Sequence, residues 1–220
     1  MASILKVDEI KERSVGSGIT LGHALKNSSG TEIMNAAGVF SSNIDGGTIS
    51  NATLDSSVTF PAGHVIQVKS FTKDDTSSSI SSNTWANLGL EVTISNVKSN
   101  SKILVSYVAH LSSTTGAYQV FTRLQRITDP DGSPTTNEIA IGNSANYATA
   151  SASGVSDSNT YQNNTNSFLD TPAFAGSIKY KVQSFTQSGG PVIYLNRTHY
   201  GITAASPVLV STITVMEIAQ

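Results

Sequence analysis

The chain has 220 residues, of which 13% are charged and 38% hydrophobic, and its formal net charge is −2. So weak a charge gives no electrostatic basis for binding nucleic acid or an anionic membrane surface. The absence of cysteine excludes disulfides, zinc–thiolate sites and cysteine nucleophiles. The apolar fraction supports a packed core, and oligomerisation is the expected substitute for disulfide stabilisation.

The N-terminal residues 1–13 lack the pattern of a signal peptide, because Lys6, Asp8 and Glu9 interrupt their apolar residues. No stretch of the sequence approaches the roughly 20 apolar residues that a membrane span needs. We therefore expect synthesis in a cytoplasm, no insertion into a membrane, and release from the cell as part of a particle.

Residues 1–22 are predicted to form an N-terminal attachment segment. The four large apolar residues within 3–13 fit two patterns: Leu5 and Val7 suit one face of a strand, and Ile4, Val7 and Ile10 suit one side of a helix. We favour a strand, followed by a turn at 16–18 and a second strand at 19–21.

Residues 23–62 are predicted to form a thin shaft. Apolar residues there are single and separated by Gly, Ser, Asn and Thr, and Ile44, Ile49 and Leu54 fall five residues apart. A repeat with one apolar residue cannot bury it within a single chain, so these side chains are expected at an axis shared by identical chains. The alternative is a flexible Gly/Ser linker, which rarely contains so many Ile, Leu and Val residues.

Residues 63–220 are predicted to form a C-terminal β-sandwich head. Strand-like runs separated by turn residues recur along this segment, and no helix is indicated. The run at 102–111 is apolar on both faces and is expected to be a central strand. With no crossover helices, two antiparallel sheets packed face to face in a jelly-roll topology are favoured. The runs are 64–72, 90–97, 102–111, 118–127, 138–142, 177–185, 192–197 and 208–218.

Several of these segments together resemble the tail-fibre and virion structural proteins of tailed phages, particularly marine cyanophages. The resemblance rests on SILKVDEIKERSVGSGITL at the start and on the junction VTFPAGHVIQV. These are followed by SKILVSY, FTRLQRI, LDTPAF, IKYKVQ and STITVMEI in this order. The resemblance covers most of the chain. It implies a homotrimer with its N-terminus towards the virion and its C-terminal domain outward, and it supplies no catalytic residues.

The sequence shows no combination of side chains that is typical of an enzyme active site. The four histidines (His23, His64, His110 and His199) are dispersed and form no metal-binding motif. Asp129 and Asp131 bracket a turn, which explains both of them, and no pair of carboxylates suggests a glycosidase. We therefore expect no catalytic activity and no metal or other cofactor.

The polar segment 143–166 is predicted to be a long loop, and loops of this length are often functional. Its residues Tyr147, Tyr161, Asn163 and Asn164 are the candidates for receptor contact, because sugar sites commonly combine aromatic rings with polar side chains. Tyr200 is a further aromatic candidate, whereas Trp85 and Tyr194 are interpreted as packing residues.

The leading hypothesis is a phage virion fibre that binds itself, other tail or capsid proteins and a glycan or protein of the host surface. A purely structural capsid or tail decoration protein is the alternative. A polysaccharide-degrading tailspike is disfavoured because the chain is too short for a long β-helix, and a bacterial lectin because no export signal is found.

Overall fold

The structure is a computed structural model in which the chain divides into two compact units, residues 1–57 and 58–220. The boundary predicted at residue 62 falls just inside the second unit. The described residues are 25–26, 32–34, 58–79, 84–114, 118–142, 151–155, 160–186, 192–200 and 207–220. The attachment residues Ile4, Leu5, Val7 and Ile10 and the shaft residues Ile44, Ile49 and Leu54 lie outside them.

The described residues form strands and turns and contain no helix. In the first unit, β1 (Leu25–Lys26) and β2 (Glu32–Met34) pair antiparallel. In the second, the strands are β3 (Val65–Lys73), β4 (Ser77–Ser79), β5 (Ala86–Val97), β6 (Lys102–Ser113), β7 (Tyr118–Thr128), β8 (Thr135–Ile139), β9 (Ser151–Val155), β10 (Gln162–Asp170), β11 (Gly176–Phe185), β12 (Ile193–Leu195) and β13 (Ser211–Ile218).

The strands of the second unit form two antiparallel sheets. In the six-stranded sheet, β6 pairs with β10 along one edge and with β13 and β12 along the other, while β3 pairs with β13 and β4 with β12. In the five-stranded sheet the order is β5-β11-β7-β8, and β9 also pairs with β7. The orders β3-β13-β6-β10 and β5-β11-β7-β8 are those of an eight-stranded jelly roll, which confirms the predicted topology.

Strand β6 occupies the central position predicted for it. Its odd-numbered residues from Ile103 to Leu111 are buried and its even-numbered residues from Lys102 to His110 are half-buried, because successive side chains point to opposite faces of a sheet. The core lies between the sheets and includes Leu90, Ile94, Ile178 and Ile213. Burial of such side chains stabilises a fold by about 1.5–3 kcal/mol each.

The predicted loop 143–166 is partly wrong, because it contains strand β9 and the first half of β10. Strand β10 pairs in register with β6 from Gln162, opposite Leu111, to Asp170, opposite Ile103. Its outward side chains are polar except Leu169, and four of its five inward ones, Gln162, Asn164, Asn166 and Asp170, are polar too. The pairing with β6 thus overrides a composition that is typical of a loop.

Candidate functional site

The polypeptide enters and leaves the second unit at the same end of the sandwich, which we call the base. The Gly63 N–H donates to the Ala219 carbonyl at 2.9 Å, and the Ala219 N–H donates to the His64 carbonyl at 2.9 Å. Gly63 has φ 89°, a conformation that glycine adopts without steric cost. Strand β3 runs away from the base, and β13, paired antiparallel with it, returns.

The opposite end, which we call the tip, contains the long connections of the jelly roll. At the base, the strands are joined by the short segments 98–101, 129–134 and 171–175. At the tip, the described parts of the connections after β3, β8 and β11 include the small strands β4, β9 and β12. Because binding residues concentrate on loops positioned by a rigid scaffold, the tip is the place to look for a binding site.

Four side chains of the connection between β11 and β13 form what we call the tip cluster: Tyr194, Arg197, His199 and Tyr200. The Arg197 guanidinium lies 4.0 Å from the centroid of the Tyr194 ring. The His199 ring lies 5.8 Å from that of Tyr194 and 5.3 Å from that of Tyr200, and His199 Nδ1 is 3.3 Å from the Tyr194 hydroxyl. His199 and Tyr200 are exposed, and Tyr194 and Arg197 are half-buried.

Strand β12 orients the tip cluster by alternation. Ile193 and Leu195 are fully buried in the core, so Tyr194 between them points outward. This corrects the interpretation of Tyr194 as a core residue. Trp85 is half-buried as well and lies outside the core, so the interpretation as a core residue is wrong for it too. Its ring is 5.2 Å from that of Phe185 and 4.4 Å from the Arg123 guanidinium.

Asn196 holds the chain that leads from β12 into the rest of the cluster. It is fully buried with φ 61°, a conformation that asparagine tolerates better than most residues. Its Nδ2 donates to the carbonyls of Lys73 at 2.8 Å and Asp75 at 2.9 Å, and its Oδ1 accepts from Ser211 Oγ at 2.6 Å. Ser112 Oγ also donates to the Arg197 carbonyl at 2.6 Å. The backbone beneath Arg197 is therefore fixed.

Arg197 differs electrostatically from the other described arginines. Arg126 forms an ion pair with Asp170 at 2.7 Å, and Arg123 forms one with Glu138. Among the described residues, no carboxylate forms an ion pair with Arg197, whose NH1 makes only a long hydrogen bond, 3.4 Å, to the Thr198 carbonyl. Its guanidinium is thus stacked on an aromatic ring while its positive charge is not neutralised by this part of the chain.

The predicted receptor-contact residues lie in different parts of the structure. Tyr161 is half-buried at the tip and its hydroxyl donates to the Pro207 carbonyl. Burial raises its pKa, against the lowering effect of a backbone hydrogen bond at Thr198. Asn163 is exposed on the outer face of the six-stranded sheet, where its Oδ1 lies 2.6 Å from His110 Nδ1. Tyr147 lies outside the described residues.

Asn164 requires a correction, because its side chain is fully buried between the sheets. It follows Asn163 on strand β10, and the alternation of the strand turns it towards the core opposite Ala109. The sequence reasoning also missed Arg197 and His199. Both lie in the segment YLNRTHY, 194–200, which combines two tyrosines, an arginine and a histidine within seven residues. That composition is the sequence signal from which they could have been predicted.

Among the residues that the structure describes, no three His, Asp or Glu side chains converge as metal ligands would. Within the same residues, no helix has the length and apolarity needed to cross a membrane.

No family model and no curated protein matches the sequence. Solved structures to which the chain is similar include that of infectious bursal disease virus, Gx strain, with 12% identity, a TM-score of 0.35 and coverage of 78% of this chain and 47% of that one. The VP2 subviral particle of the same virus has 12% identity, a TM-score of 0.36 and coverage of 77% and 45%. The chain spans less than half of these proteins, and similarity at this level assigns it no function.

Proposed function

We propose that the chain is a virion fibre subunit of a tailed phage whose residues 1–22 bind the particle and whose sandwich head attaches to the host surface. The observation that carries the proposal is the polarity of the head. Its N-terminal and C-terminal strands meet the junction segment at the base, and the tip cluster lies at the opposite end. The resemblance of the start and junction sequences to phage fibre proteins supports the same polarity.

The ligand class that fits the tip cluster is a glycan of the host envelope. Sugar rings pack on aromatic faces, and the exposed rings of Tyr200 and His199 provide two of them beside the polar head of Arg197. Because the backbone at Asn196 is fixed by three side-chain hydrogen bonds, little ordering of that segment would be required on binding.

Binding of the full chain to intact cyanobacterial cells tests the attachment role. Arg197→Ala removes the charged donor that would hydrogen-bond the glycan. Hydrogen bonds to charged groups contribute about 1.5–3 kcal/mol, so we expect binding about 10- to 150-fold weaker. Arg123→Ala is the control, because Arg123 also stacks on an aromatic ring, that of Trp85, but lies on the outer face of the five-stranded sheet rather than beside β12. Equal effects of the two substitutions would contradict the proposed site. Binding to no cell type would leave the structural decoration role as the better account.

A homotrimeric fibre is part of the same proposal. It is supported by the single, regularly spaced apolar residues Ile44, Ile49 and Leu54, which need partner chains for their burial. Native mass spectrometry should give the mass of three 23.0 kDa chains, and a monomer would refute the shaft. Phage produced with a chain that lacks residues 1–22 should assemble particles without the fibre.

The role that we propose is not enzymatic. Support comes from the buried carboxylates, which are engaged in structural contacts. Asp170 accepts from Arg126 and Tyr180, and Glu217 accepts from Gln67 Nε2 and from the backbone N–H of Lys98. Incubation with polysaccharides of the host surface should release no reducing ends, and release of oligosaccharides would favour the tailspike.

A further inference from the structure

The two outer faces of the sandwich differ sharply in charge. The outer face of the five-stranded sheet carries Glu91, Lys181 and Glu138 in neighbouring strands, with Lys179 and Arg123 on either side of this row. The outer face of the six-stranded sheet has twelve positions in three central cross-strand rows, and none of the twelve is charged. Lys102, opposite Ile218, is the charged residue that borders these rows at the base. Charged side chains keep a face solvated, and their depletion is typical of the core of a protein interface.

Of these three rows, the one nearest the base is entirely apolar, and we call it the apolar row. Val68, Met216, Leu104 and Leu169 lie opposite one another on β3, β13, β6 and β10. Residues directly opposite in antiparallel strands share a face. Val68 is 50% and Leu169 47% exposed, so the row forms a continuous apolar stripe across four strands.

The next row consists of hydroxyl side chains and is called the hydroxyl row: Ser70, Thr214, Ser106 and Ser167. Ser70 Oγ lies 3.0 Å from Thr214 Oγ1, and Ser106 Oγ lies 2.9 Å from Ser167 Oγ. A hydroxyl both donates and accepts. Identical rows of three copies turned towards a shared three-fold axis are therefore chemically compatible, because a hydroxyl of one copy can donate to or accept from one of the next. None of the twelve positions brings a like charge into such a contact.

The size of the face also favours a second copy over a separate partner. With strands about 4.8 Å apart and successive same-face residues about 6.8 Å apart, three rows on four strands cover about 400 Å². A stable interface between free partners needs about 800 Å² from each. Copies held together by their own shafts meet at an effective concentration of roughly millimolar, where a smaller contact suffices. The apolar row lies near the base, where residue 58 connects the head to the shaft.

We infer that the outer face of the six-stranded sheet, centred on the apolar row, is the contact between the heads of identical chains. This inference rests on the proposed fibre for the tether that brings the heads together. The tip cluster plays no part in it, so contact between heads and attachment to the host fail independently of each other.

Cysteine labelling of the full chain tests this contact directly, since the natural sequence contains no cysteine. Leu169→Cys places a thiol on the apolar row. Val210→Cys is the matched control, because Val210 is also 47% exposed in the single chain but lies before β13, outside the rows. We expect maleimide to modify residue 169 at least about tenfold more slowly than residue 210, because thiol reactivity depends on exposure.

Three results would overturn the inference. Equal labelling rates in a chain whose native mass shows a trimer would leave the fibre intact and remove this face from its contacts. A monomeric native mass would refute the shaft together with the head contact. Protection of residue 169 in intact virions but not in the purified chain would identify another virion protein as the occupant.

A charge substitution gives an independent measurement of the contact. In the full chain with Ser167→Cys on the same face, Leu169→Lys should speed maleimide modification of residue 167, whereas Val210→Lys should leave that rate unchanged. A lysine on the face places like charges of symmetry-related heads in the contact. Thermal unfolding of both variants shows whether each head remains folded. A folded Leu169→Lys variant in which residue 167 is modified no faster would contradict the inference.

Discussion

Tyr180 and Tyr107 allow a matched comparison of a buried hydrogen bond to a carboxylate with one to a neutral hydroxyl. Both side chains are buried and both hydroxyls bridge the two sheets. The Tyr180 hydroxyl donates to Asp170 Oδ2 at 2.8 Å, and Asp170 Oδ1 accepts from Arg126 NH1 at 2.7 Å. The Tyr107 hydroxyl, in contrast, lies 2.9 Å from the neutral hydroxyl of Thr122.

Replacing either tyrosine with phenylalanine removes one hydroxyl and leaves the ring in place. Hydrogen bonds to charged groups contribute about 1.5–3 kcal/mol, and neutral ones about 0.5–1.5 kcal/mol. We therefore expect Tyr180→Phe to lower the free energy of unfolding by about 1 kcal/mol more than Tyr107→Phe. In a domain of this size that difference corresponds to roughly 3 °C in Tm.

Urea denaturation of the wild type and the two variants measures the difference, provided that the m-values agree. A cost for Tyr180→Phe equal to or below that of Tyr107→Phe would refute the reasoning, because the charge of the Asp170 carboxylate would then add nothing to the hydrogen bond. Asp170→Asn is the complementary variant. It leaves the Arg126 guanidinium without its carboxylate, and we expect a loss of about 3–5 kcal/mol.

Three further predictions concern alkaline pH, the tip and the base. Burial raises the pKa of Tyr107 to about 12, against the effect of its hydrogen bond with Thr122. Unfolded tyrosine ionises near pH 10, so above that pH the unfolded state releases a proton that the folded state keeps. The free energy of unfolding should therefore fall between about pH 10 and 12. Absorbance at 295 nm would report the ionisation of tyrosine that accompanies unfolding. Asn196→Ala should lower the free energy of unfolding by about 2–4 kcal/mol, since two carbonyls and a hydroxyl lose their partner; a loss below about 1 kcal/mol in urea would contradict this. Glu217→Gln should cost about 1–3 kcal/mol, because an amide nitrogen would face either Gln67 Nε2 or the Lys98 N–H, both of which are donors.

The sequence pattern predicts those strands whose two faces differ in polarity or are both apolar. Strand β11 alternates Ile178, Tyr180 and Val182 with lysines and a glutamine, and the structure places the first set in the core. Strand β10 was missed because polar residues point inward as well as outward. Asp170 is tolerated inside because Arg126, 44 residues away, pairs with it, and no local periodicity reveals such a partner.

The tip cluster could be predicted only in part. The residue types are visible in the segment 194–200, but their convergence depends on the backbone at Asn196. Its φ of 61° turns the chain so that Arg197 lies over Tyr194. That conformation is held by the carbonyls of Lys73 and Asp75, more than 100 residues away, so it follows from tertiary packing rather than from spacing.

The position of β13 has a consequence for how the head is made in the cell. This strand lies between β3 and β6 and contributes Ile213 and Val215 to the core, yet it is synthesised after every other strand of the domain. Until then β3 has no neighbour in the sheet, and β6 has an open edge from Lys102 to Val108. Pairing across so long a separation folds slowly. The six-stranded sheet is therefore completed only after translation of its final strand, and a nascent chain presents no finished face to another copy. The contact that we propose between heads therefore forms between completed chains, and translation that stops before residue 211 yields a chain unable to make it.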